Sequence, residues 1–142
     1  MVYSNNVQFE RAVTTAMFVT IDEADARPIY LQVAEEIKGL IARGELAEGA
    51  PLPPVRQLAA DLGVNLNTVA TAYRELQGEG LLSIRHGAGA VVASRTARDK
   101  SEEELRKPLR AALTGMVLAG LPRVEIMNLV QSELRALLKG AK

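Results

Sequence analysis

The sequence predicts a mainly α-helical protein with a small β-hairpin, an α+β fold. Apolar residues recur at helical spacing in several segments, and glycine or proline stands at most of their ends. Two short apolar runs, LLSIR and AVVAS, flank the loop HGAG, which is typical of a hairpin. The 142 residues are 48% hydrophobic but only 4% aromatic. We therefore expect an aliphatic core in one moderate domain, or in a small domain with an appended piece.

The composition excludes several classes of function. The chain has no cysteine and one histidine, which leaves no disulfide, no zinc site and no nucleophile–histidine set. The acids Asp22, Glu23 and Asp25 have no second acidic site at a matching spacing. GAGA lacks the Lys-Ser or Lys-Thr pair and the helix that follow a nucleotide phosphate loop. We therefore expect no catalysis, no cofactor and no metal.

Charge and hydropathy place the chain among cytoplasmic proteins. No apolar run approaches the roughly 18 residues of a membrane span, and the first residues lack a secretory signal pattern. Net charge is zero, with 17 basic and 17 acidic residues. The stretch from Arg56 to Arg98 nevertheless holds five arginines against three acids. This local excess is a weak indication of nucleic-acid binding.

The N-terminal part of the chain is predicted as an arm that leads into a first helix. Residues 1–16 show no clear period and predict a loose arm or an upstream extension, and Met17 is an alternative start. The arm as a whole covers residues 1–27. A helix then runs from Pro28 to Gly44, both of which are usual helix boundaries. Its inward positions are Ile29, Val33, Ile37, Leu40 and Ile41.

Two further helices and the hairpin complete a predicted domain over residues 28–95. The second helix runs from about Pro54 to Leu62 and ends at Gly63. Asn65 caps the third helix, which extends to about Gly78. The inward positions of the two helices are Val55, Leu58, Ala59 and Leu62, and then Val69, Ala72, Tyr73 and Leu76.

Residues 96–142 are predicted as a separate helical tail. Ser101 and Glu104 form a capping box at the start of its first helix, which reaches about Ala119. Pro108 predicts a kink or a break inside that helix. Gly120 ends it, and Pro122 opens a last helix with a broad apolar face. Two helices this short and apolar are not expected to be stable alone.

Helix, helix, turn, helix and a two-stranded wing form a winged helix-turn-helix. The segments LPPVRQLA, LGVNLNTV, AYRELQGEGLL and RHGAGAVV resemble, in order and spacing, the DNA-binding domain of the GntR family of bacterial transcription regulators. The short helical tail resembles the YtrA-type subfamily. This resemblance implies a homodimeric repressor, joined by its tail, that is encoded beside the transporter genes it controls. Leu66 and Ala90 depart from the family, which often has Arg and Thr there.

The polar edge of the third helix is the main candidate DNA-binding surface. The first turns of a recognition helix approach base edges and phosphates most closely, so short polar side chains are favoured there. The alternative is a helix cap followed by a solvated face. The candidate residues are Asn65, Asn67, Thr68, Thr71 and Arg74.

The second helix and the wing supply the remaining DNA-binding candidates. Arg56 in LPPVRQLA suits a phosphate or a guanine edge, although a surface arginine is ordinarily only solvated. Arg85, His86 and Gly87 form the wing tip, where glycine permits a close approach to a sugar-phosphate strand and His86 can reach the minor groove. The operator is expected to be double-stranded and nearly palindromic.

The tail supplies the candidate dimer surface. Its apolar residues exceed what two helices can hide from water, and large exposed apolar patches usually mark a partner. Two alternatives remain: a sensor that responds to a small molecule, and a module whose winged helix contacts protein rather than DNA. The candidate dimerisation residues are Leu113, Val117, Leu118, Leu121, Val130, Leu134 and Leu137.

Overall fold

The computed structural model describes residues 2–4, 19–85, 89–94 and 100–138. The chain divides into two compact units between Arg95 and Thr96, here named the winged unit and the tail unit. The winged unit holds β1 (Val2–Ser4), β2 (Thr20–Asp22), α1 (Ile29–Ala42), α2 (Val55–Leu62), α3 (Leu66–Gly78), β3 (Leu82–Arg85) and β4 (Gly89–Val92). The tail unit holds α4 (Glu102–Leu118) and α5 (Arg123–Leu137). The predicted fold class, mainly helical with a small hairpin, is confirmed.

The core of the winged unit is aliphatic and lies between α1, α2 and α3. The inward positions predicted for the three helices are buried, except that Ile29 and Val55 are only partly so. Gly63 closes α2 with a left-handed φ of 72°, a conformation that glycine adopts without steric cost. Fully buried members of the core include Val33, Ile37, Leu58, Leu62, Val69 and Leu76.

The hairpin is held along both edges of its second strand. β3 and β4 pair antiparallel, with Leu82 opposite Val92 and Arg85 opposite Gly89. On its other side β4 meets the loop after α1, where the Leu52 N–H donates to the Ala90 carbonyl at 2.9 Å. The base of the wing is therefore fixed to the core.

The segment before α1 contributes two strands that the sequence did not predict. β1 pairs antiparallel with β2, in register from Val2 opposite Asp22 to Ser4 opposite Thr20. Val19 and Ile21 are buried in the core. Gln32, also buried, accepts from the Asp22 N–H at 2.9 Å and donates to the Arg27 carbonyl at 3.1 Å. The loop between β2 and α1 is thus tied to the first turn of α1.

The tail unit consists of two helices, and the first has a side-chain cap. The Ser101 hydroxyl accepts from the Glu104 N–H at 3.2 Å, and the Glu104 carboxylate accepts from the Ser101 N–H at 3.3 Å, which confirms the capping box. Of the predicted kink or break at Pro108, the break is wrong, because α4 continues through Pro108. Pro108 and Glu104 are both exposed, so water can satisfy the Glu104 carbonyl that loses its helical donor.

None of the residues that the structure describes in α4 and α5 is buried. Gly120, at a φ of 89°, ends α4, and Pro122 precedes the first residue of α5. Across the described part of the chain, no helix is both long and apolar enough to cross a membrane.

Candidate nucleic-acid interface

One face of α3 carries four of the five polar residues predicted for the recognition helix, and the fifth, Asn65, is the N-cap just before it. Residues on the opposite face, including Val69, Tyr73 and Leu76, are buried in the core, so the helix cannot turn that polar face inward. Asn67 and Arg74 are consequently exposed, and Thr68 and Thr71 are half-exposed.

Asn65 caps α3 as predicted. Its side-chain oxygen accepts from the backbone N–H of Asn67 at 2.7 Å, which satisfies one of the donors that a helix start leaves free. The Asn65 residue remains exposed. Its amide NH₂ group is not used by that bond, and the amide of an exposed asparagine can also contact a ligand.

Arg74 and Thr71 are joined on the exposed face of α3. An Arg74 guanidinium nitrogen donates to Thr71 Oγ1 at 3.1 Å. The two residues are three positions apart, which places them on the same side of a helix. The bond holds the guanidinium along the polar face and leaves further N–H groups for an anionic or carbonyl partner.

The first turn of α3 borders a groove shared with the start of α1. The groove has a volume of about 330 Å³ and is lined by Pro28, Ile29, Tyr30, Asn67, Thr68 and Thr71. Residues Pro28–Tyr30 were not predicted as part of the site. Their helical periodicity identified α1 but carried no information on which end of it lies beside α3.

Arg56 lies in the first turn of α2 and is exposed. The face opposite it is fixed by Leu58 and Leu62, both fully buried. An arginine held outward by a short, well-anchored helix can offer its planar guanidinium to phosphate or to a base edge.

The predicted wing tip is only partly described. Arg85 ends β3 and pairs with Gly89, whose φ is 77°. The side chain of Arg85 and the whole of His86 and Gly87 lie outside the described residues. Their predicted role in DNA binding therefore stays a prediction.

Tyr73 links α3 to the loop before α2. Its hydroxyl donates to the Pro53 carbonyl at 2.6 Å, and both residues are buried. Burial raises the pKa of Tyr73 above its usual value, so the phenol stays neutral and keeps its proton on this bond. The bond fixes the spacing between the start of α2 and the middle of α3.

None of the seven residues predicted for dimerisation is buried within the tail unit. Val117 is 61% exposed and Leu118 is 81% exposed, fractions far above those of core residues. Leu134 and Leu137 are also exposed, whereas Leu113, Leu121 and Val130 are half-buried. Among the residues that the structure describes, no three His, Cys, Asp or Glu side chains come together as a metal site.

The sequence is similar to those of bacterial transcription regulators. The family model for bacterial regulatory proteins of the gntR family matches residues 29–92. The HTH-type transcriptional repressor YtrA of Bacillus subtilis (strain 168) is 30% identical over 127 residues, 87% of this chain and 97% of YtrA. The HTH-type pyridoxine biosynthesis transcriptional regulator PdxR of Corynebacterium glutamicum is 40% identical over 74 residues, 52% of this chain but only 16% of PdxR.

One solved structure is similar to this chain over most of its length. A crystal structure described as a transcriptional antiterminator from Listeria monocytogenes EGD-e is 30% identical with a TM-score of 0.79, over 90% of this chain and 97% of that one. The predicted resemblance to the GntR family and to its YtrA type is confirmed. The family and both sequence relatives are named as regulators of transcription, not as enzymes.

Proposed function

We propose that this chain, which belongs to the GntR family of bacterial regulatory proteins and is a DNA-binding transcriptional regulator, represses transcription as a homodimer on a palindromic double-stranded operator. Its targets then include its own operon, with adjoining transporter genes. The winged helix-turn-helix over residues 28–95 reads the operator. The tail over residues 96–142 joins the two copies.

The polar face of α3 carries the DNA-reading part of the proposal. The buried side of the helix fixes Asn67, Thr71 and Arg74 outward. Asparagine can bond bidentately to adenine, threonine can place its methyl group against thymine, and arginine can pair with guanine. A helix N-terminus also favours phosphate. A face of this composition reads the major groove better than it would bind a protein surface.

Arg56 and the wing supply contacts that position the protein on the duplex. Contacts to phosphate fix register and carry no sequence information directly. We therefore expect Arg56→Ala to lower affinity about equally on all DNA sequences, and Arg123→Ala, an exposed arginine of α5, to serve as its control. If each copy neutralises about three phosphates, the dimer's log–log salt slope should be near −5, at about −0.9 per phosphate.

The tail supports the homodimer. Large exposed apolar side chains such as Val117, Leu118 and Leu134 are unfavourable in water and mark a surface that a partner covers. A two-fold homodimer is the commonest solution among soluble proteins. It also presents two recognition helices to two half-sites, which a palindromic operator requires.

The decisive experiment locates the operator and then tests a variant that lacks one proposed base-contacting side chain. Footprinting on DNA upstream of the protein's own gene should reveal a near-palindrome. Against a randomised library of that site, Asn67→Ala should relax selection at particular positions by about 1–3 kcal/mol. The matched control is Asn128→Ala, an exposed asparagine of α5, which should select as the wild type does. If Asn67→Ala selects the same site with the same stringency, Asn67 is not a reader.

The dimer is tested by sedimentation of the full chain. Leu118→Glu places a charge in the exposed apolar face of α4 and should shift the protein toward monomer. Ser132→Glu changes an exposed polar residue of α5 outside the concave surface that Leu134 lines, and it should leave the assembly unchanged. A Leu118→Glu protein that remains as tight a dimer as the wild type would refute the assignment of the tail.

A further inference from the structure

A second concave surface lies on the other side of α3 from the groove with α1. It is a cleft of about 350 Å³ between the start of α2, the middle of α3 and the hairpin. Its walls include Val55, Ala70, Tyr73, Arg74, Ile84 and Ala90, and we name it the wing cleft. Ligand sites for small molecules begin at about 300 Å³, so the wing cleft can admit one.

The walls of the wing cleft are mainly apolar. Ile84 is 46% exposed, although Leu82, two residues earlier in the same strand, is buried. Ala70 leaves room on α3 that a longer side chain would fill. The Tyr73 hydroxyl already donates to Pro53, so it offers no free proton to a ligand. An occupant must therefore present an apolar body to most of this surface.

Arg74 gives the wing cleft one charged wall. Among the described residues that line the cleft, none is acidic, so the guanidinium meets no opposing carboxylate there. Its bond to Thr71 steadies it and uses only one of the five N–H groups of a guanidinium. An arginine beside apolar walls suits a carboxylate carried on an apolar body.

We propose that the wing cleft binds a small amphipathic carboxylate, with its apolar body against Ile84 and Ala70 and its charge on Arg74. The DNA backbone is a poorer occupant, because its phosphates need several donors and, among the described residues that line the cleft, Arg74 is the one charged side chain. This inference rests on the proposed function in one respect: Arg74 also belongs to the proposed DNA-reading face. Ligand and operator then compete for Arg74, and the ligand acts as an inducer.

The test uses the isotope-labelled full chain without DNA. Two probes of equal shape are titrated, 2-naphthoate and the uncharged 2-naphthamide. We expect saturable NMR shift changes at Ala70, Ile84 and Ala90, with naphthoate binding about tenfold more tightly, the size of one charge-assisted hydrogen bond.

Two variants with matched controls separate charge from shape. Arg74→Gln should remove the preference for naphthoate, whereas Arg56→Gln, an exposed arginine outside the cleft, should keep it. Ala70→Met should fill the cleft and abolish binding of both probes, whereas Ala42→Met, at the exposed end of α1, should not. Helical circular dichroism checks that each variant is folded.

Three results would overturn the proposal. Shift changes confined to α4 and α5 would mean that the probes only coat the exposed apolar tail. Equal binding of both probes, unaffected by Arg74→Gln, would remove the anion specificity. In a separate titration with operator DNA, shift changes at Ala70 and Ile84 that naphthoate does not produce would make the cleft part of the DNA interface. Footprinting is done without probe, so a failure of operator binding is seen separately from a failure of ligand binding.

Discussion

The two units of the chain treat similar residues in opposite ways. Both are built from aliphatic helices with few aromatic side chains. In the winged unit Leu58 is fully buried, whereas in the tail unit Leu118 is 81% exposed. All buried hydrophobic residues of the described chain belong to the winged unit. Apolar content alone therefore does not distinguish a core from a surface that awaits a partner.

The difference follows from the number of packed elements. Three helices and a hairpin enclose a volume, so each contributes an apolar side to a common interior. Two helices of 17 and 15 residues enclose almost none. Most of the stability of short helices in proteins comes from tertiary packing. The tail unit is therefore expected to complete its packing by association with a second copy.

The largest expected effect is the loss of a core leucine. Leu58→Ala should lower the free energy of unfolding by about 2–5 kcal/mol, since it leaves a cavity in a close-packed interior. Leu118→Ala should leave the unfolding of the winged unit almost unchanged and should weaken association instead. Urea unfolding at two protein concentrations separates the two outcomes, with the NMR signals of Tyr73 reporting the unfolding of the winged unit. Equal destabilisation by both variants at every concentration would abolish the distinction between the units.

The second effect concerns the buried bond between α3 and the loop before α2. Tyr73→Phe keeps the ring but leaves the Pro53 carbonyl without its donor at 2.6 Å. The free energy of unfolding should fall by about 1–3 kcal/mol, the cost of leaving a buried acceptor unsatisfied. Tyr30→Phe, at a half-buried tyrosine of α1, is the control and should cost less. If the urea midpoint of Tyr73→Phe equals that of the wild type, the bond makes no net contribution to the free energy of unfolding.

The helices and their caps were predictable because their signals are local. Asn65, Gly63 and the Ser101–Glu104 box each act within four residues of the chain, and each is found where the sequence placed it. The break expected at Pro108 is absent: proline removes one hydrogen bond and crowds the carbonyl four residues back, but water can reach that carbonyl here. On exposed α4 that penalty is smaller, and the flanking turns continue.

The strands at the N-terminus and the wing cleft were not predictable for the opposite reason. β1 and β2 are three residues each, too short to show a period, and they pair across a long separation. No local pattern indicates that the Gln32 side chain is buried and bonds to both the Asp22 N–H and the Arg27 carbonyl. The wing cleft joins three separate segments, and only tertiary packing brings Val55, Ala70 and Ile84 to one surface.

The third effect compares the helix caps of the two units. Asn65→Ala removes an N-cap acceptor in the winged unit and should cost about 1 kcal/mol of its stability. Asn67→Ala, two residues on and exposed, should cost less. Ser101→Ala removes the equivalent acceptor in the tail unit and should appear chiefly as weaker dimerisation. Chemical unfolding and sedimentation on the same samples test this, and a Ser101→Ala protein that loses winged-unit stability would couple the two units more tightly than proposed.

The smallest effect lies at an ion pair on the surface of each unit. In the winged unit Asp25 accepts from the Arg27 side chain at 3.0 and 2.7 Å and from its backbone N–H at 2.9 Å. These bonds hold the pKa of Asp25 below its usual value. Its contribution to stability is therefore present above the unfolded-state pKa of about 3.9 and is lost as pH falls through the lower folded value.

Asp25→Asn should accordingly shift the urea midpoint slightly at neutral pH and not at all once the pH is below the folded value. The shift is small because the pair lies at the surface, with Arg27 52% and Asp25 26% exposed, and water screens it. In the tail unit the Glu102–Arg106 pair is longer, at 3.5 Å, and Glu102 is 79% exposed, so Glu102→Gln should shift the midpoint less. Urea midpoints measured for both variants from neutral to acidic pH test these two expected shifts. A larger loss for Glu102→Gln would mean that the tail surface is more ordered than its exposure implies.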